Sequence, residues 1–257
     1  MNTSDALRTI SERLMRENIC SVPLSERSLQ IVYDFMRLRN ANSELMRRLS
    51  TVELNYVQIH AEADDALKEA LGAKQAVINS LKDLLDIWHR KGYLREFSFS
   101  FSEEDTSDMR ADLSLTIESI NINLNVISRS LMTLGETSAQ MRACSASFME
   151  IYHESKLAIY AAMLNRSKEE ILDCRAISLQ SHASSNESNR ASAHYLGIAK
   201  QCTRIIATIN ALIAEISSSL YTSSSASYTA RLFFPNMVTN KLSDAIRNLE
   251  YINIESN

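Results

Sequence analysis

Glu150-Ile-Tyr-His153 has the spacing that places a carboxylate and an imidazole on one helix face, the unit from which di-metal centres in helical bundles are built. Asp86-Ile-Trp-His89 is a looser version of the pattern. A di-metal centre needs two Glu-x-x-His pairs and two more carboxylates, and the sequence has no second Glu-x-x-His, so no metal site is expected. His60 and Asp64 stand at i, i+4, the spacing of a surface hydrogen bond or ion pair worth a few tenths of a kcal/mol. There is no G-x-S-x-G motif, and the four cysteines, Cys20, Cys144, Cys174 and Cys202, have no C-x-x-C spacing. They read as free thiols on helix faces, Cys144 and Cys202 as small core residues, which points to a reducing compartment. Gly72, Gly92, Gly135 and Gly197 stand too far apart for a phosphate or dinucleotide loop. The expectation is a non-enzymatic protein with no catalytic residue and no cofactor.

Charge narrows the partners. The formal net charge is −4, so no overall basic field attracts nucleic acid. Arg27, Arg37, Arg39, Arg47 and Arg48 make a basic zone, but Glu53, Glu62, Asp64, Asp65 and Glu69 follow directly. Such segregation suits a neighbouring helix or protomer of opposite pattern better than a phosphate backbone, and nucleic-acid binding is not expected. The first twenty residues carry scattered charge and no apolar core of a signal peptide. No uncharged apolar run reaches 18 residues, so no constitutive membrane span is expected. The expected location is the cytoplasm, or outside the cell by a route without a cleaved signal.

The elements that must position these residues are helices. The 257 residues include only four Gly and two Pro, where average usage would give roughly 18 and 13. Turn-rich and sheet-rich folds consume both. The spacing predicts a short helix over 4–19, interrupted at Val22-Pro23, and Ser25 as the N-cap of a long helix over 25–91. Its seam runs through Val32, Phe35, Leu38, Ala41, Leu45, Leu49, Val52, Tyr56, Ile59, Ala63, Leu67, Leu71, Ile78, Leu81, Leu85 and Trp88, mostly in steps of three or four, and Ala63, Ala66, Ala70, Ala73 and Ala76 favour close helix approach. Gly92 offers a C-terminal cap. A tip segment over 92–106 follows, with Phe97-Ser-Phe99-Ser-Phe101-Ser102 alternating as a short strand. A second long helix spans 107–180, with a break near 165 where Ser167-Lys-Glu-Glu170 forms a capping box. Over 113–126 a period-two strand reading competes; the four-three spacing of Leu113, Ile117, Ile120, Leu124, Ile127, Leu131 and Leu134 favours helix.

Ser makes up about 14% of the chain, and the run Ser181 to Arg190 reads as a polar loop. A third helix spans 190–221 on Tyr195, Ala199, Cys202, Ile206, Ile209, Ile213, Ile216 and Leu220. Residues 222–229 read as a Ser-rich loop, Arg231 to Val238 with Phe233-Phe234-Pro235 as an apolar loop, and 240–253 as a final helix capped by Asn240. Two long stripes joined by a short connection must cover each other. The expected fold is all-α: a single elongated helical domain built on a long antiparallel coiled-coil hairpin, with a short strand or loop at its tip.

That tip is the densest local feature. Trp88, Tyr93, Leu94, Phe97, Phe99 and Phe101 gather the only Trp and three of the seven Phe beside Arg90, Lys91 and Arg95. The bland reading is a cap on the bundle end. The functional reading is a contact with a partner or a membrane interface. The helix order is similar to that of the α-helical pore-forming toxins of bacteria. That resemblance implies a subunit that rearranges and assembles on membranes; without a clearly apolar insertion segment, it implies a non-inserting component. Two functions are carried forward: a coiled-coil interaction or assembly protein forming homo- or hetero-oligomers through helical surfaces, and a subunit of a secreted helical toxin or effector system with peripheral membrane contact.

Overall fold

The computed structural model describes residues 3–38, 41–95, 103–223 and 228–252. Among these residues it is all-α, with six helices: α1 (Thr3–Arg16), α2 (Glu26–Arg37), α3 (Ala41–Arg95), α4 (Glu103–Leu164), α5 (Lys168–Ser223) and α6 (Tyr228–Tyr251). No strand occurs among the described residues. The period-two pattern over 113–126 lies inside α4, so the helical reading holds. The proposed strand over 97–102 lies outside the described residues.

The helices α3, α4 and α5 pack antiparallel in succession, and the chain forms two compact units: residues 1–61 with 137–193, and residues 62–136 with 194–257. In the first, Arg48 of α3 pairs with Glu154 of α4, while Asn55 lies 3.6 Å from Cys144, so α3 and α4 run in opposite directions. Ser138 and Ser145 of α4 meet Ser192 and Ser185 of α5, which reverses direction again. Asn42 and Glu53 of α3 therefore meet Asp173 and Gln180 of α5 in parallel. Large residues fill the rest of this core: Leu45, Leu49 and Ile59 from α3, and Met141, Phe148 and Ile151 from α4. The Tyr56 ring stands edge-on to Phe148 at 6.5 Å.

The helices α1 and α2 close one end of that unit. Leu7, Ile10 and Leu14 of α1 join Leu29 and Val32 of α2 on Ala161 and Leu164 of α4. Arg13 donates from Nη2 to the Leu164 carbonyl at 3.2 Å, setting a cation at a helix C-terminus where carbonyls lack partners. This docking explains why residues 25–91 are not one helix. Leu38 turns extended (φ −83°, ψ 124°) and ends α2, which frees α2 to bury Leu29 and Val32 against α1 and α4. Ser25 caps α2 as expected, accepting from the Ser28 amide at 3.2 Å.

In the second unit the α3 seam is lined by Ala63, Ala66, Ala70 and Ala73, then Val77, Leu81 and Leu84. Leu67, Leu71 and Leu85, assigned to the seam from sequence, are only half-buried. Alanine in successive seam positions lets helix backbones approach closely. Ile120, Leu124, Ile127 and Leu134 of α4, Tyr195, Ala199, Cys202, Ile205 and Ile209 of α5, and Leu242, Ala245, Ile246 and Leu249 of α6 complete the core. Lys82 of α3 reaches Glu250 of α6 at 2.7 Å, and Lys241 of α6 reaches Glu215 of α5 at 3.0 Å.

Other boundaries moved as well. The α3 helix passes Gly92 and ends at Arg95, so the tip segment does not begin at 92. α6 runs through Pro235, so residues 231–238 are helical instead of an apolar loop. Proline removes one helix hydrogen bond, and the seam from Leu242 to Leu249 anchors the remainder of α6. The break near 165 is real: the Ser167 amide donates to the Ala162 carbonyl at 3.0 Å and that of Arg166 to Met163 at 3.1 Å, with Arg166 left-handed at φ 58°. Ser167 then caps α5, accepting from the Glu170 amide at 3.4 Å.

Glycine is absent where this turn would use it and present where helices do not need it. A Cβ at Gly72 would meet no atom within 4 Å. Arg166→Gly and Gly72→Ala should each stabilise the chain by about 0.5–1 kcal/mol, the first by relieving the left-handed residue and the second by helix propensity. Chemical denaturation of each variant checks this; a lower midpoint for either contradicts the local geometry.

Candidate interaction surface

Residues 181–190 are not a loop. They lie within α5, and their serines form its buried face. Ser178, Ser181, Ser185, Ser188 and Ser192 are all buried, in steps of three, four, three and four. They continue the register of Cys174 before them and of Tyr195, Ala199 and Cys202 after them. Ser138 donates to the Ser192 carbonyl at 2.9 Å, and Ser192 donates back to the Ser138 carbonyl at 2.8 Å. Ser145 and Ser185 repeat the exchange at 3.0 and 3.1 Å. Between them Ser188 donates to the Met141 carbonyl at 2.6 Å. A helical carbonyl has a second lone pair beyond the one used by its own ladder, so these bonds add to α4 and α5 without breaking either. The side chains are short enough for one helix to lie directly on the other.

Two of the sequence motifs weighed for chemistry, Glu150 with His153 and His60 with Asp64, make contacts with neighbouring side chains. Arg48 bridges Glu154 and Glu150, the latter at 3.8 Å, beside a shallow cleft of about 300 Å³ lined also by Arg47, Thr51, Val52, Ser147 and Ile151. The Glu150 and His153 pair therefore splits: Glu150 faces Arg48, and His153 lies against Tyr152 at 5.3 Å. The Tyr152 ring also meets His182 of α5 at 4.9 Å and Lys156 at 4.2 Å. His60 stands edge-on to Tyr56 at 5.8 Å, and Asp64 accepts the hydroxyl of the buried Tyr195. Asp86 and His89 fall near the end of α3. Among the described residues no group of three or more His, Cys, Asp or Glu side chains could hold a metal ion.

Cys144, Cys174 and Cys202 are buried free thiols, and Cys20 is half-buried. Burial pushes the Cys174 and Cys202 thiols up to about 11, in Cys174 with help from the Glu170 and Asp173 carboxylates. Cys144 is raised too, chiefly by burial and against a hydrogen bond from Asn55. A raised thiol pKa means little thiolate at neutral pH, hence low nucleophilicity.

The aromatic tip is only partly placed. Trp88, Tyr93 and Leu94 fall in the last turns of α3, while Phe97, Phe99 and Phe101 lie outside the described residues. What the described surface does present is apolar side chains in helical register. Leu54 and Val57 on α3 are 73% and 64% exposed; Leu172 and Leu179 on α5 are 65% and 74% exposed. In the second unit Leu115 and Ile122 on α4 are exposed at a seven-residue spacing. No described helix is long and apolar enough to cross a membrane. No family model matches the chain, and neither a curated protein nor a solved structure matches it.

Two expectations follow. Ser145→Ala and Ser185→Ala should each cost about 0.5–1.5 kcal/mol, and the double variant less than their sum, because each single change strands the partner hydroxyl. Additive losses in a double-mutant cycle would contradict the reciprocal pair. With a thiol reagent at neutral pH, Cys20 should react first and the other three only on unfolding. Three or more fast thiols in the native chain would contradict the burial.

Proposed function

We propose that the chain is a non-enzymatic interaction or assembly protein that works through helix–helix contacts. The observation that carries this reading is the set of large apolar residues left exposed in helical register, Leu54 with Val57 and Leu172 with Leu179. Scattered exposed leucines are ordinary, but apolar pairs at three- and seven-residue spacing present a strip that another helix can cover. Support also comes from the interior, where Ser138, Ser145, Ser185, Ser188 and Ser192 of the α4–α5 seam are engaged with the facing helix. The aromatic residues near the end of α3 belong to the same reading as a further contact region. The likeness to pore-forming toxins rests on helix order alone, and Phe97, Phe99 and Phe101, which would make its membrane contact, lie outside the described residues, so it supplies no second reading.

The test is sedimentation velocity of the chain over a concentration series, beside Leu54→Ser/Val57→Ser and Leu172→Ser/Leu179→Ser. Exposed sites away from caps change stability by about 0.5 kcal/mol at most, so both variants should unfold near the wild-type temperature. Concentration-dependent association of the wild type, weakened in at least one variant, is the expected result. Identical monomers in all three samples at every concentration would overturn the proposal.

A further inference from the structure

In the second unit the α3–α4 pair leaves a groove with two unlike walls. The Ser80 and Ser119 hydroxyls stand 3.3 Å apart where the two helices touch. The residues four before and three after each serine sit beside it on the same helix face, one row further out. On α4 these are Leu115 and Ile122, 66% and 59% exposed, and Val126 one step on is half-buried. On α3 they are Ala76, half-buried, and Asp83, exposed. The α3 row runs in steps of three and four through Glu69, Gly72, Ala76, Asn79, Asp83 and Asp86, all exposed except Ala76. It carries no base. The lysines of this stretch are engaged elsewhere: Lys82 reaches Glu250 of α6 at 2.7 Å, Lys74 donates to the Ile252 carbonyl at 2.6 Å, and Lys68 pairs with Asp65 at 3.0 Å. Asp112, one heptad before Ser119, adds a carboxylate at the Leu115 end. At the other end the α4 row reaches Arg129 and the α3 row Glu69, so the excess negative charge lies beside Leu115 and Ile122.

We infer that this groove receives an amphipathic helix of a protein partner, with basic side chains along one edge of its apolar stripe. Leu115, Ile122 and Val126 form the wall that the stripe covers. Gly72 and Ala76 keep the opposite wall low, so that lysine or arginine side chains reach Asp83 and Asp86 across it. Charge selects the occupant: the carboxylates attract a basic helix, and they repel an acidic helix, nucleic acid and anionic lipid. The inference extends the interaction reading above by naming a partner chemistry. Its residues all lie in the second unit, and Leu54, Val57, Leu172 and Leu179 all lie in the first. Self-association through those leucines and docking in this groove therefore stand or fall separately.

The test is fluorescence anisotropy of labelled peptides about three heptads long, titrated with the full chain at low salt. The first peptide has leucine along one stripe and lysine beside it, the second has glutamate in place of each lysine, and the third is a scramble of the first. The lysine peptide should bind, and the other two should bind at least about tenfold more weakly. Leu115→Ser/Ile122→Ser and Asp83→Lys/Asp86→Lys should each raise its dissociation constant by about tenfold or more. All four positions are exposed, so both variants keep the fold. Leu172→Ser/Leu179→Ser should leave the binding unchanged. Failure of the lysine peptide to bind, equal binding of its scramble, or binding that ignores both groove variants would overturn the inference, while the sedimentation series above decides the association reading on its own.

Discussion

The reciprocal hydrogen bonding of serine hydroxyls to facing backbone carbonyls is the constraint on which the first unit depends. Burying a hydroxyl without a partner costs about 1–3 kcal/mol. Ser138, Ser145, Ser185, Ser188 and Ser192 avoid that cost by donating across the α4–α5 contact. The bonds form only if the two helices are close and in one register. They therefore contribute specificity where they contribute little hydrophobic burial. The apolar driving force comes from other faces of the same unit, with Leu45, Leu49, Met141, Phe148 and Ile151. Large residues supply the burial, and small polar ones set where α5 must lie on α4.

The ends of the helices follow the same logic of satisfied backbone groups. The α4 terminus is closed twice, by the left-handed turn at Arg166 and by the guanidinium of Arg13 on the Leu164 carbonyl. The α1–α2 pair that delivers Arg13 also covers Ala161 and Leu164. The break at Leu38 is thus a consequence of packing: an unbroken helix from Ser25 would carry Leu29 and Val32 away from the surface they bury.

How much of this was legible in the sequence depended on which signal each element carried. The scarcity of Gly and Pro, with four-three spacing through Ile120, Leu124, Ile127 and Leu134, was enough for an all-α fold and for helix over 113–126. The capping box at Ser167 located the α4–α5 turn. The serine run was misread because composition was weighed above spacing: Ser181 to Arg190 is polar enough for a loop, yet its serines keep the register of Cys174 and Tyr195. Leu67 and Leu71 fit the seam by size and spacing, yet Ala66 and Ala70, whose small side chains favour close helix approach, hold the buried positions. Leu38 continued the apolar spacing, and only the tertiary demand of α1 and α4 ends the helix there. For the candidate contact surface the sequence showed opposite charge zones along the first long helix, but which apolar residues stay uncovered depends on the faces that the other helices occupy.

An α4–α5 contact held by short polar bonds and exposed apolar residues in helical register are the two observations behind the proposed interaction role. Everything in the first unit turns on the serine-rich stretch being a tightly packed helix. Native-state amide hydrogen exchange across residues 178–192 tests this most directly. Protection as strong as that of the neighbouring turn at Ile177 is the predicted result; exchange near the rate of an unstructured chain at residues 181–190 would contradict it.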